Sequence, residues 1–180
     1  MQTWMDHAIG AAKLDRNVWN KIYFEEYATA NAVMVVAIIA IVQFLGVAIL
    51  GGGSILSNLF RFDVMLSVAI GALFEWIIAA AALWVMGVKV FGGSARLPSI
   101  IAMVGYAYVP FLLLAFLPIP WLGFDLPGAG QVHLFFVVAV VWFTLALRQI
   151  GEVHLDLKKR DALAAAVVAA AVWLAVRAIF

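Results

Sequence analysis

The side chains in this sequence that can do chemistry are few and widely spaced. His7, His133 and His154 are the only histidines, and cysteine is absent. Disulfides, thiolate chemistry and cysteine-ligated zinc are therefore excluded, and no H-E-x-x-H pair sets two metal ligands on one helix face. The residue that stands out is Glu75, an acid within the apolar run GALFEWIIAAAALW. Such a group can act as a protonatable gate or as a structural polar tie. It is a poor catalytic centre, because an intramembrane enzyme needs a nucleophile–base pair or metal ligands at common depth, and Glu75 with Tyr106 and Tyr108 makes neither. The sequence assigns no catalytic residue, no metal ligand and no cofactor.

The elements around Glu75 follow from composition. Hydrophobic residues form 67% of the 180 and charged residues 12%, against about 45–50% and about 25% in an ordinary soluble domain. One soluble core of this size cannot hide that much apolar surface, so the surplus belongs in a lipid bilayer. With 11 basic and 10 acidic residues the net charge is +1, which gives no field for nucleic acid. A spanning helix needs about 20 mostly apolar residues, and the stretches at about 29–50, 64–88, 97–117, 133–151 and 162–180 qualify. Glycine runs at 51–53 and 92–93, the proline-bearing stretch 117–130 and the charged run 152–161 separate them. They are continuous apolar runs, not the period-2 alternation of a membrane barrel. The expected fold is an all-α integral membrane protein: five transmembrane helices (29–180) after an amphipathic interfacial helical segment (1–28).

Orientation follows from lysine and arginine. Lys13, Arg16, Lys21, Lys89, Arg96, Arg148, Lys158, Lys159 and Arg160 fall on one side, and only Arg61 and Arg177 on the other. Positive loops stay in the cytoplasm, so the expectation is a multi-pass protein of the cell (inner) membrane, amino end cytoplasmic and carboxyl end outside. The first thirty residues carry charges throughout and no early apolar core, so no cleavable signal is expected. Within 1–28, Trp4, Met5, Ala8, Ile9 and Ala12 recur at helical spacing, and Val18, Trp19, Ile22 and Tyr23 repeat the pattern after a break at 14–17. Asp15 or Asn17 is the candidate cap of the second piece. These helices are expected along the inner membrane face with Trp4 and Trp19 as anchors; they serve either as a packing arm or as a partner-recruiting surface. Trp121, in the 117–130 stretch, is the expected anchor of a rigid outer cap.

Glu75 lies eleven residues past Val64, roughly 16 Å along the helix and so near mid-bilayer. An ionised acid there is costly unless paired. Gln43, Tyr106 and Tyr108 are level with it, and no basic side chain is expected there. The expectation is thus a protonated carboxyl that donates a hydrogen bond. Pro110 removes the donor that would normally serve the Tyr106 carbonyl, and in hydrocarbon that oxygen must find another. Glu75, Gln43 and the backbone around Tyr106 are expected to tie the first three spans together. Ala79–Ala82, Ala164–Ala166 and Ala169–Ala171 permit close helix contact, within the chain or between copies.

Gly105-Tyr106 and Pro110, within IIAMVGYAYVP after Gly93 to Leu97, fall as the G-Y-x-x-x-P signature falls in the third span of Yip (Ypt-interacting protein) domain proteins. Trp142 to Leu147 (WFTLAL) is similar to that family's tryptophan–leucine pattern in the fourth span. The resemblance covers most of residues 15–180 in layout, and only about 93–110 and 142–151 in specific residues. It implies a short, prokaryotic-type member. Eukaryotic members are linked to Rab-type GTPases and vesicle traffic, but this chain lacks their long polar cytoplasmic amino-terminal region. The expected function is a non-enzymatic scaffold, accessory subunit or membrane-organising factor, whose partners are lipids and another membrane protein or a second copy. The alternative is a small oligomeric transporter or channel with Glu75 as its protonatable group.

Overall fold

A computed structural model describes residues 3–50, 52, 54–118, 123–126 and 130–179. Two short helices, α1 (Thr3–Ala12) and α2 (Arg16–Tyr23), precede α3 (Ala28–Leu50), the short α4 (Ile55–Leu59) and α5 (Phe62–Trp84), which continues as a π turn over Val85–Val90. Next come α6 (Leu97–Ala107), a 3-10 segment (Val109–Phe116), strands β1 (Gly123–Leu126) and β2 (Gly130–His133), α7 (Leu134–His154) and α8 (Lys159–Arg177). Among the described residues, four helices are long and apolar enough to cross a membrane: Ala28–Leu50, Phe62–Val90, Leu97–Phe116 and Leu134–His154. The fifth expected stretch forms α8. It is apolar over 162–176 but carries Lys159, Arg160 and Asp161 at one end and Arg177 at the other.

The joints have local causes. Asp15 accepts a hydrogen bond from the Asn17 backbone N–H at 3.0 Å and so caps α2, while Leu14 turns the chain through a left-handed φ of 55°. After Pro110, which cannot donate to the preceding turn, the α-helix tightens into the 3-10 segment. Two features of the second half differ from the sequence reading. α7 runs past Gly151 to His154, because Arg148 and Glu152 bond one turn apart on the same helix face (2.9 Å) and favour another turn. Residues 123–126 and 130–133 pair as antiparallel strands, Gly123 with His133 and Leu126 with Gly130, which apolar periodicity does not announce. Trp121 lies outside the described residues.

α8 packs between α5 and α7, and α3 packs along α6 and the 3-10 segment. The alanines make the first contact close: Ala79 and Ala80 on α5 and Ala162, Ala165, Ala166 and Ala169 on α8 are fully buried. Glycines do the same for the second. A Cβ on Gly46 would come 2.2 Å from the Ala115 carbonyl oxygen, and one on Gly105 would come 2.7 Å from the Ala32 Cβ. The amino-terminal helices fold onto this bundle. Val18, Trp19 and Ile22 are buried, and the Trp19 indole N–H donates to Gln149 Oε1 at 3.0 Å. Trp19 is therefore a packing residue and not a headgroup anchor: the apolar stripe that could face lipid faces α6 and α7 instead.

Overpacking of this kind costs about 1–3 kcal/mol. Gly46→Ala is expected to lower stability by more than Gly105→Ala does, because the new Cβ would meet three main-chain atoms of Ala115 at 2.2–2.7 Å, whereas at Gly105 its nearest neighbour is the Ala32 Cβ at 2.7 Å. Unfolding of both variants in mixed micelles checks the order.

Candidate functional site

Glu75 sits in the middle of α5 with 5% of its surface exposed. It does not stand without a cation. Arg177, in the last turn of α8, places Nη1 at 3.2 Å from both Glu75 carboxylate oxygens. The guanidinium also lies over the Trp173 ring at 5.5 Å, one turn earlier on the same helix. The expectation that no basic side chain stands level with Glu75 is corrected. The sequence reading set Arg177 at the outer flank of a span ending at 180. In the structure Arg177 closes the last turn of α8, and its long stem reaches from there to the carboxylate in the middle of α5.

Around the pair is a small polar cavity of about 160 Å³ lined by Gln43, Ser67, Gly71, Glu75, Tyr108 and Arg177. The Tyr108 side chain is buried and its hydroxyl makes no hydrogen bond among the described residues; the Trp173 indole is its polar neighbour. One wall is aromatic. Phe111 stacks on Trp173 with centroids 4.4 Å apart, and Phe143 and Tyr108 meet Phe111 at 4.9 Å each.

The expected cluster therefore divides. Gln43, Glu75 and Tyr108 share the cavity, while Tyr106 faces elsewhere, because residues two apart on a helix do not share a face. Tyr106 is fully buried under α1, edge-on to His7 at 5.9 Å and beside Glu25. Glu25 in turn joins His7 Nδ1 (3.1 Å) and the Asn31 side-chain amide (2.7 Å). The carbonyl tie also shifts. Gln43 Nε2 donates to the Phe111 oxygen at 3.0 Å, not to that of Tyr106, since the tightened segment after Pro110 turns a later carbonyl toward α3. Pro110 itself is buried at the start of that segment. Trp4 is half-buried and lines a groove beneath α1.

Arg177, Trp173, Ser67 and the His7–Glu25 pair are the members that sequence reasoning missed. An arginine ending an alanine-rich helix was the available signal for Arg177. Chemically, the arrangement neutralises a buried carboxylate and fastens α8 to α5. It holds no nucleophile–base pair, and among the described residues no three His, Asp or Glu side chains gather as metal ligands would.

Removing one member of a buried ion pair costs about 3–5 kcal/mol, chiefly from the charge left behind. Arg177→Met is therefore expected to destabilise the protein by about 3 kcal/mol, and the double variant Glu75→Gln, Arg177→Met by clearly less. A double-mutant cycle on detergent unfolding measures the coupling, and additive effects would show that the pair contributes nothing.

A family model described as the Yip1 domain matches residues 16–178. No curated protein and no solved structure matches the chain. The match runs from the start of α2 to the turn after α8, and the tight α3–α6 contact at Gly105 and the break at Pro110 both lie within it. The chain belongs to the Yip1 domain family.

Proposed function

We propose that this protein is a non-enzymatic, five-span scaffold, accessory subunit or membrane-organising factor of the cell membrane. It acts through helix packing and contacts with lipid and a membrane partner. The observation that carries this reading is the Glu75–Arg177 pair: the acid set deepest in the apolar runs binds two helices of the same bundle. The apolar outer surface supports it further. Ile41, Leu45, Leu66 and Leu73 border a groove of about 480 Å³ between α3 and α5, a face suited to lipid or to a helix of another protein.

Five crossings place the amino end in the cytoplasm and the carboxyl end outside. Arg177, drawn into the bundle, no longer counts as a loop charge, which leaves Arg61 as the one outer cation among those weighed. A transporter is the second reading. The polar cavity with its unbonded Tyr108 hydroxyl favours it.

Reporter fusions and a mild-detergent purification test both. The scaffold reading expects a cytoplasmic reporter active at the amino end, a periplasmic-type reporter active at the carboxyl end, and a membrane partner co-purifying in fixed ratio. In liposomes it expects no proton-driven flux. A pH-dependent flux that Glu75→Gln abolishes would establish the transporter instead, and both reporters on one face would remove the fifth crossing.

A further inference from the structure

The apolar face of α1 does not close fully on the bundle. Between α1, α3, the 3-10 segment and α7 lies a groove of about 640 Å³, within the roughly 300–1,000 Å³ of small-molecule sites. Trp4, Ala8, Ile38, Leu112 and Trp142 line it, and the exposed Lys13 stands at its border. The Trp142 indole N–H is buried and has no acceptor among the described residues.

Along α7 the lining then changes character. Beginning one turn beyond Trp142, Leu145, Arg148, Gln149 and Glu152 line a second cavity of about 220 Å³ together with Arg16 and Lys159. Leu14 borders both cavities. Glu152 is the one carboxylate in this lining, and it already accepts from Arg148 at 2.9 Å and pairs with Arg16. Lys159 makes no ion pair among the described residues. Three cations against one carboxylate leave a positive surplus. From Trp142 to Arg148 is six residues, about 9 Å along the helix. An apolar slot thus leads into a basic pocket within the length of one lipid molecule.

We propose that this composite site holds one anionic phospholipid, with an acyl chain in the groove and the phosphate among Arg16, Arg148 and Lys159. Charge complementarity and continuity along α7 select this occupant. A free anion has no use for the groove, and an apolar helix has none for the basic pocket. The Trp142 N–H offers a donor to an ester carbonyl on the way. A lipid held there bridges the amino-terminal arm, α7 and α8 and so holds the arm down. The proposal rests on the reading of the chain as a lipid-embedded scaffold, since that reading sets Arg16 and Lys159 at one leaflet's headgroups.

Native mass spectrometry of the delipidated full chain in detergent, titrated with dioleoyl phosphatidylglycerol or dioleoyl phosphatidylcholine, tests it. One phosphatidylglycerol is expected to bind roughly 25-fold more tightly than phosphatidylcholine, as the attraction per basic residue corresponds to about fivefold and the lining carries a surplus of two. The pair Arg16→Gln with Lys159→Gln should bring the two lipids level, and Lys159→Gln alone, at a residue with no ion pair among the described residues, should lower the preference without changing the unfolding midpoint. Ala12→Phe, which fills the groove, should weaken both lipids about tenfold. Equal binding of the two lipids by the native chain, a preference that survives the double variant, or an Ala12→Phe variant that binds normally overturns the site. Displacement of the lipid by 10 mM inorganic phosphate also overturns it and assigns the pocket to a free anion. These failures with correct reporter topology discard the lipid site alone, whereas reporters on a common face discard the scaffold reading beneath it.

Discussion

Hydrocarbon offers an ionised carboxylate no solvent, and the centre of this protein is organised around that fact. Glu75, in α5, finds a partner only because Arg177 reaches it from α8. For the guanidinium to arrive, α8 must lie close along α5, and the fully buried alanines of both helices allow that approach. Trp173, one turn back, covers the cation and at the same time stacks on Phe111. The ion pair and the aromatic core are thus one construction, and Gln43 joins α3 to it through the Phe111 carbonyl.

At the other end of the bundle the arm is held by different chemistry. Trp19 is buried and hydrogen-bonded to Gln149, Tyr23 stacks on His154 with centroids 5.0 Å apart, and Arg16 pairs with Glu152. His7 and Glu25 close over Tyr106. The contacts mix one polar bond with each apolar surface, as suits a segment that meets protein on one side and a watery boundary on the other. The two tyrosines of the G-Y-x-x-x-P stretch divide the work: Tyr108 belongs to the central cavity and Tyr106 to the arm.

Much of the helical frame was legible, since a bilayer imposes both length and apolarity on whatever crosses it. The apolar runs became α3, α5, α6 with its 3-10 extension, and α7, and Asp15 at the break became the cap of α2. What stayed hidden depended on relative height and rotation between helices. A run of apolar residues fixes neither, so Arg177 could not be set level with Glu75. Nor could the apolar stripe bearing Trp19 be assigned to protein in place of lipid, because both are equally apolar neighbours. The division of Tyr106 from Tyr108 was available in principle from helical phase alone.

The 3-10 segment after Pro110 alters the arithmetic of the crossing. At about 2.0 Å per residue against about 1.5 Å for an α-helix, its eight residues advance about 16 Å where an α-helix would advance about 12 Å. The 20 residues of Leu97–Phe116 therefore reach roughly 32 Å. A thread that short can match about 30 Å of hydrocarbon by being drawn out thin, while the 29 residues of Phe62–Val90 with their wide π turn have length to spare. The proline's lasting effect is one of gauge: it stretches a short segment toward the measure of a bilayer.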